Sequence, residues 1–239
     1  MTSALRRDDI ILIDEGSLRA GVLLEQFGNE ILEASFPPEE YVPGQYSGIA
    51  SPEGPLLLAC GPGGRVLGGA CGEIYQKSDT LLLAYLAVRQ DVRGAGIGTV
   101  IMDAVRERWL HHQKLALLEI EDPRYHASRA DYGDPAARVR FYARYGVRGL
   151  SIPYFQPRLR PELNRRYHLI LSTLAVADEL RVGAGLVGRH VEGFLREYFA
   201  SCEGDDRPED GELESLLITC HPGELAMVPL EELVSTPPP

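Results

Sequence analysis

"VRGAGIG" (residues 92–98) lies between an apolar run, "TLLLAYLAV" (80–88), and an amphipathic one, "TVIMDAVRERW" (99–109). Gly94, Gly96 and Gly98 alternate behind Arg93, at the point where a strand-like pattern becomes a helix-like one. Glycine serves where backbone must turn sharply or approach a ligand closely. What this turn holds decides both the fold and the chemistry.

Downstream, the helix after the turn carries Ile101, Met102, Val105 and Trp109 on one face. "KLALLEIE" (114–121) reads as a strand with Leu118 and Ile120 on one side and Glu119 and Glu121 on the other. Residues 122–134 form a long polar loop, and "PAARVRFYARYG" (135–146) restarts a helix between Pro135 and Gly146. "LSIPYFQPRL" (150–159) and "YHLILSTLAV" (167–176) read as a final pair of strands. Upstream, Leu18, Val22, Leu23, Phe27, Ile31 and Leu32 recur at helical spacing over 17–36, with Ser17 placed to cap them. A Pro- and Gly-rich loop (37–48) leads to the strand "PLLLACG" (55–61), the turn "PGG" (62–64) and the strand "RVLGGACGEIYQ" (65–76).

The order is helix, three antiparallel strands, helix, strand, helix and two strands, which fills residues 1–176 as one domain. Residues 177–239 read as a C-terminal helical extension. Its amphipathic stretch "GLVGRHVEGFLREYF" (185–199) turns Val187, Val191, Phe194, Leu195, Tyr198 and Phe199 to one side. "LESLLI" (213–218) and "PLEELV" (229–234) are candidates for short elements. The extension either covers a pocket or makes a homodimer contact.

At 44% hydrophobic residues the chain can bury a sizeable core. Its 35 acidic against 24 basic residues exclude broad nucleic-acid binding, which needs a basic footprint. That balance suits a cationic substrate, and equally ordinary solubility. The opening "MTSALRRDDIILIDEG" contains no long apolar segment, so a cytoplasmic protein without a membrane partner is expected. Cys60, Cys71, Cys202 and Cys220 form no CxxC pair, so reduced thiols and no metal site are expected.

Three phosphate-binding patterns compete for the glycine turn. A P-loop needs Lys and then Ser or Thr after its glycines, and here Gly98 is followed by Thr99 and Val100. A Rossmann fingerprint fits Gly94 and Gly96 but meets Thr99 at its third place, and antiparallel strands suit a parallel dinucleotide fold poorly. Arg-x-x-Gly-x-Gly is matched by Arg93, Gly96 and Gly98. With "LAVRQDVRGAGIGTVIMDAV" (86–105) followed, after a strand, by "FYARYGV" (141–147), the chain resembles the GNAT N-acetyltransferase superfamily.

That resemblance implies an α/β (α+β) fold: a mixed, mostly antiparallel twisted sheet flanked by helices. Peptide N–H groups at a glycine turn and helix N-terminus converge on anionic oxygens. Arg93, Gly94, Ala95, Gly96, Ile97, Gly98 and Thr99 would thus cradle the pyrophosphate of coenzyme A. Leu86, Ala87 and Val88 would offer main-chain bonds to its pantetheine arm, which in the family enters between splayed strands. Tyr142 stands where the family often carries the tyrosine that protonates the departing thiolate. The Asn that often precedes it by some seven residues is replaced here by Pro135, which leaves one pantetheine contact without its usual donor.

For the base, Glu121 is the first choice and Glu119 the second. Glu73, in "CGEIY", is a candidate for holding a substrate amine, and His112 and His126 read as solvated. Glu39, Glu40, Tyr154, Phe155 and Gln156 are candidate walls of the acceptor pocket. The expected activity moves an acetyl or other short acyl group from acyl-coenzyme A to a small primary amine by direct attack in a ternary complex. An acyl-coenzyme A sensing module, O-acyl transfer and acyl-coenzyme A cleavage are the alternatives.

Overall fold

A computed structural model describes residues 7–14, 21–37, 39–41, 54–129, 132–204, 210–221 and 223–235. The chain divides into two compact units, Met1–Glu73 with Leu83–His112, and Ile74–Leu82 with Gln113–Pro239. The fold class is the one expected, α/β with a mostly antiparallel sheet flanked by helices.

In the first unit the helix expected over 17–36 forms as α1 (Gly21–Phe27) and continues as a π-helical turn, Gly28–Leu32. Its mark is the bond from Glu33 N to Gly28 O, 3.0 Å, which spans five residues. The expected cap Ser17, with Leu18, lies outside the described residues, as do 42–48 of the following loop. Leu24, Phe27, Ile31 and Leu32 pack with Tyr41, Leu56, Leu58, Val66 and Tyr85 in one buried cluster. The strand order is β1 (Ile11–Asp14), β2 (Leu56–Cys60), β3 (Val66–Tyr75), β4 (Thr80–Val88), of which Ile74–Tyr75 of β3 and Thr80–Leu82 of β4 belong to the second unit. The element order read from sequence omits β1. Four residues are too few to show a period, and antiparallel pairing with the wholly buried β2, Ile11 opposite Cys60, is what makes them a strand. A Cβ on Gly69 would meet Leu57 O at 2.7 Å and the Phe27 ring at 2.9 Å, so the bare backbone lets α1 press onto the sheet. β4 runs through the glycine turn into α2 (Ile97–Arg108), whose buried face is the expected Ile101, Met102 and Val105.

In the second unit β5 (Leu115–Glu121) pairs antiparallel with β9 (Leu169–Val176), and α3 (Pro135–Ala143) begins as expected. Asp134 caps α3 by accepting from Ala136 N at 2.9 Å, and Pro135 fills the first helical turn. The single strand expected over 150–159 is corrected. β6 (Arg148–Leu150) pairs with β9, and Phe155–Gln156 forms a separate strand, β7, paired with β8 (Arg166–Tyr167). Pro153 and Pro157 supply no N–H, so no continuous ladder can cross this stretch.

Beyond residue 176 the helix expected over 185–199 is present as α4 (Gly188–Glu203), with its start corrected because Gly185–Val187 pairs as a strand, and the two candidate short elements are the helices α5 (Gly211–Ile218) and α6 (Leu230–Ser235). The same segment also extends the sheet. β10 (Arg181–Val182) pairs with β11 (Gly185–Val187), β11 with β12 (Glu224–Pro229), and β12 with β6, all antiparallel. Val191, Phe194, Leu195, Tyr198 and Phe199 of α4 are buried in the same cluster as Leu117, Leu150, Phe155, Leu171, Leu186 and Leu217. Among the described residues no helix is long and apolar enough to cross a membrane. No group of three or more His, Cys, Asp or Glu among them could hold a metal ion.

Candidate active site

The turn is built from overlapping short bonds: Val92 N to Arg89 O (3.1 Å), Arg93 N to Gln90 O (3.3 Å) and Ala95 N to Val92 O (3.2 Å). Gly94 and Gly96 hold φ of 84° and 83°, the left-handed region that side chains disfavour. A Cβ on either would meet nothing within 4 Å, so the space before them is open. Gly96 caps α2, its carbonyl accepting from Thr99 N (3.0 Å) and Val100 N (3.1 Å). The N–H groups of Gly94, Gly96, Ile97 and Gly98 donate to nothing among the described residues. They stand at the positive end of the helix dipole, which favours anions.

Arg93 is exposed; its Nε donates to Val88 O at 3.2 Å and its Nη2 to Ser35 Oγ at 3.2 Å. It has no carboxylate partner among the described residues. A fixed guanidinium beside open peptide donors fits a pyrophosphate. Leu86 and Val88 are half-buried and Ala87 buried, all on β4, and Glu73 is half-buried on β3. Ser35 is the residue sequence reading missed here; nothing in its local pattern distinguishes it.

In the second unit Glu119 and Glu121 share a face of β5, as expected, but meet different partners. Glu119 accepts from the Tyr154 hydroxyl, from Gln156 Nε2 at 2.8 Å and from the Tyr198 hydroxyl at 3.4 Å. The structure thus brings together Glu119, Tyr154 and Gln156, three residues singled out from sequence for related roles. Tyr198, on α4, is the one missed: it reads as part of an apolar stripe, but a buried tyrosine hydroxyl needs a partner. Burial, with Glu119 beside them, pushes the Tyr154 and Tyr198 phenols well above their usual range, so both remain neutral donors.

Glu121 instead accepts from Arg138 Nη2 and, at 2.7 Å, from Arg166 Nη2. His126 Nδ1 stands 3.8 Å from it, while its Nε2 faces His168 O at 3.1 Å and Tyr167 O at 3.3 Å. Nε2 therefore carries the proton. Burial and then Arg166 hold the His126 imidazole below its ordinary range. His112 is exposed, as is Glu39; Glu40 takes the Tyr85 hydroxyl on its carbonyl at 2.9 Å. Phe155 is buried against Phe199, ring centroids 5.4 Å apart, with the Arg165 guanidinium 5.2 Å from its ring.

Tyr142 lies one turn beyond Arg138 on α3, 8% exposed. Its hydroxyl has no hydrogen-bond partner among the described residues. Burial pushes its pKa up to about 12 against the opposing influence of Arg138, so at neutral pH the proton is on the oxygen.

Residues 53–148 match the family model of the acetyltransferase (GNAT) domain, a span that holds the glycine turn, both glutamates and Tyr142. Over these residues the chain is similar to the GNAT acetyltransferase family. Its fold is similar to that of a Bacteroides thetaiotaomicron protein classed in the same family, with a TM-score of 0.57 at 17% identity over 82% of this chain and 99% of that one. The ribosomal-protein-S18-alanine N-acetyltransferase from Escherichia coli aligns over 74% of this chain and 97% of its own, at 15% identity and a TM-score of 0.46. No curated protein matches by sequence.

Proposed function

We propose that the protein transfers an acetyl or other short acyl group from acyl-coenzyme A to a small primary amine, by direct attack in a ternary complex. The observation that carries this is the turn, where, among the described residues, four peptide N–H groups have no acceptor and the adjoining arginine has no carboxylate partner. The family supplies the class of reaction. Arg93 and residues 94–99 would take the pyrophosphate, and Leu86, Ala87 and Val88 the pantetheine arm through their main chain.

Glu119 is the base in this reading rather than Glu121. Tyr154, Gln156 and Tyr198 give it neutral hydrogen bonds, whereas Glu121 is engaged by two guanidinium groups that favour its charged form. Glu119 would accept a proton from the ammonium. The freed nitrogen pair then forms the N–C bond at the thioester carbonyl, and the C–S pair leaves on sulfur. Tyr142 would give its proton to that thiolate, a role open to a phenol that stays protonated to about 12. The second proton shed by the new amide nitrogen restores the phenol.

Calorimetric titration with acetyl-coenzyme A tests the donor site. The wild type is expected to bind in the micromolar range, and Gly96→Trp to lose at least 100-fold with its circular dichroism unchanged. A folded wild type that does not bind overturns the reading. Binding without amine-dependent thiol release reduces the protein to a sensing module.

A further inference from the structure

We infer that Ser35 is a positioning residue of the donor turn: its hydroxyl tethers the Arg93 guanidinium without neutralising it, so that the positive charge is left for the pyrophosphate. The role given to that charge rests on the acyl-coenzyme A reading; the tether itself does not. Arg89 and Arg93, four positions apart, are held alike at one end. Arg89 Nε donates to Val66 O at 2.9 Å and Arg93 Nε to Val88 O at 3.2 Å. At the other end they part. Arg89 Nη2 forms an ion pair with Glu30 Oε2 at 2.7 Å, whereas Arg93 Nη2 meets the Ser35 hydroxyl oxygen at 3.2 Å. Arg65 pairs with Asp91 of the same stretch at 2.6 Å. Of these three arginines, Arg93 is the one with no carboxylate partner among the described residues.

Glu30 and Ser35 come from one piece of chain. The π-helical turn Gly28–Leu32 carries Glu30, and Ser35 follows it with its own N–H fixed on Leu32 O at 2.9 Å. Phe36 packs edge-on against Tyr85 of β4, ring centroids 5.0 Å apart, and so anchors this piece to the strand that leads into the turn. Ser35 is 8% exposed, while Arg93 is exposed. A buried hydroxyl on fixed backbone thus holds the tip of a side chain that in water has many rotamers to lose. Ordering completed before a ligand arrives is not subtracted from its affinity. A hydroxyl accepts the hydrogen bond and carries no charge, whereas a carboxylate in its place would compete with phosphate oxygens for the guanidinium. The remaining N–H donors of Arg93 stay open to an anion.

Calorimetric titration with acetyl-coenzyme A tests the role, and NMR of the free protein tests the tether. Ser35→Ala should weaken binding about 3- to 10-fold, the cost of ordering one long side chain on binding, with circular dichroism and melting retained. Ser35→Thr, which keeps the hydroxyl, should bind as the wild type does. Ser35→Asp should weaken binding more than Ser35→Ala, by pairing with Arg93 as Glu30 pairs with Arg89. In an Arg93→Ala background, Ser35→Ala should change affinity by less than about 2-fold, whereas a merely structural Ser35 would cost the same in both backgrounds. If Ser35→Ala does not fold, Ser35→Cys, of nearly the same size and a weak acceptor, gives the same comparison. Without coenzyme A, nitrogen relaxation of the Arg93 Nε–H should report an ordered side chain in the wild type and a mobile one in Ser35→Ala. Unchanged affinity in a folded Ser35→Ala, equal losses in both backgrounds, tighter binding by Ser35→Asp than by Ser35→Ala, or an Arg93 equally ordered without the hydroxyl would each overturn the inference. A folded wild type with an ordered Arg93 that ignores acetyl-coenzyme A would instead overturn the donor reading, and Ser35's role in it, while leaving the tether.

Discussion

Glu119 and Glu121 leave one strand on one face, two residues apart, and end in opposite surroundings. Around Glu119 are two phenols and an amide from β7, α4 and the segment before β7. Around Glu121 are guanidinium groups from α3 and β8. Hydrogen bonds from neutral groups add no charge to a carboxylate's surroundings, whereas two guanidinium groups offset its charge and favour its ionised form. The difference is one of neighbours, since residue type, strand and facing are shared.

The contrast is tested most severely by neutralising each carboxylate in turn. Glu119→Gln is expected to lower amine-dependent thiol release by about 100- to 10,000-fold, the range of a lost general base, with the urea midpoint close to wild type. Glu121→Gln should do the reverse. It leaves Arg138 and Arg166 without their shared anion and should cost about 2 kcal/mol in urea unfolding, low for a broken buried pair because Arg138 is still 32% exposed. Equal rate losses in the two variants would dissolve the distinction.

Tyr142 probes the same chemistry from the acid side. Tyr142→Phe should reduce turnover about 100-fold with acetyl-coenzyme A affinity unchanged. Because burial raises the phenol to about 12, the acid form persists as pH rises through 10 and is lost only near that value. The rate should therefore show no Tyr142-dependent fall between pH 9 and 11. An alkaline limb near pH 10 that vanishes in the Phe variant would refute the buried-donor assignment.

A smaller effect is expected at Glu203 of α4, a third carboxylate and one held as Glu121 is. Burial raises its pKa, but hydrogen bonds from Arg165 and from Arg158 N–H outweigh that and leave it below its ordinary range. A depressed folded value means that the stabilisation is complete above the unfolded value of about 4.3 and is lost as pH falls through the lower folded one. The gap in urea midpoint between wild type and Glu203→Gln should be constant from pH 7 to 5 and narrow toward pH 3. A gap that widens on acidification would reverse the sign assigned to this residue.

How far each part was legible in sequence depends on where its cause lies. The turn was legible because its requirement is local: Gly94 and Gly96 need left-handed backbone, and α2 begins behind them with its buried face in register. Asp134 and Pro135 announced the start of α3 for the same reason. β1 and β12 were not legible, because each is short and becomes a strand only by pairing, with β2 in one case and with β6 and β11 in the other. Tyr198 was visible only as one member of an apolar stripe, since the destination of its hydroxyl depends on β5.

The class of fold, the glycine turn and the pair of carboxylates on one face of β5 were thus settled by sequence alone. Backbone conformation and strand alternation are dictated by residues a few positions apart. Which donors each carboxylate meets was decided only in the folded molecule, because Tyr154, Gln156, Tyr198, Arg138 and Arg166 arrive from elements 17 to 79 positions away along the chain. A charged group's chemistry is set by the donors and cations within a few ångströms of it, and chain folding alone chooses those.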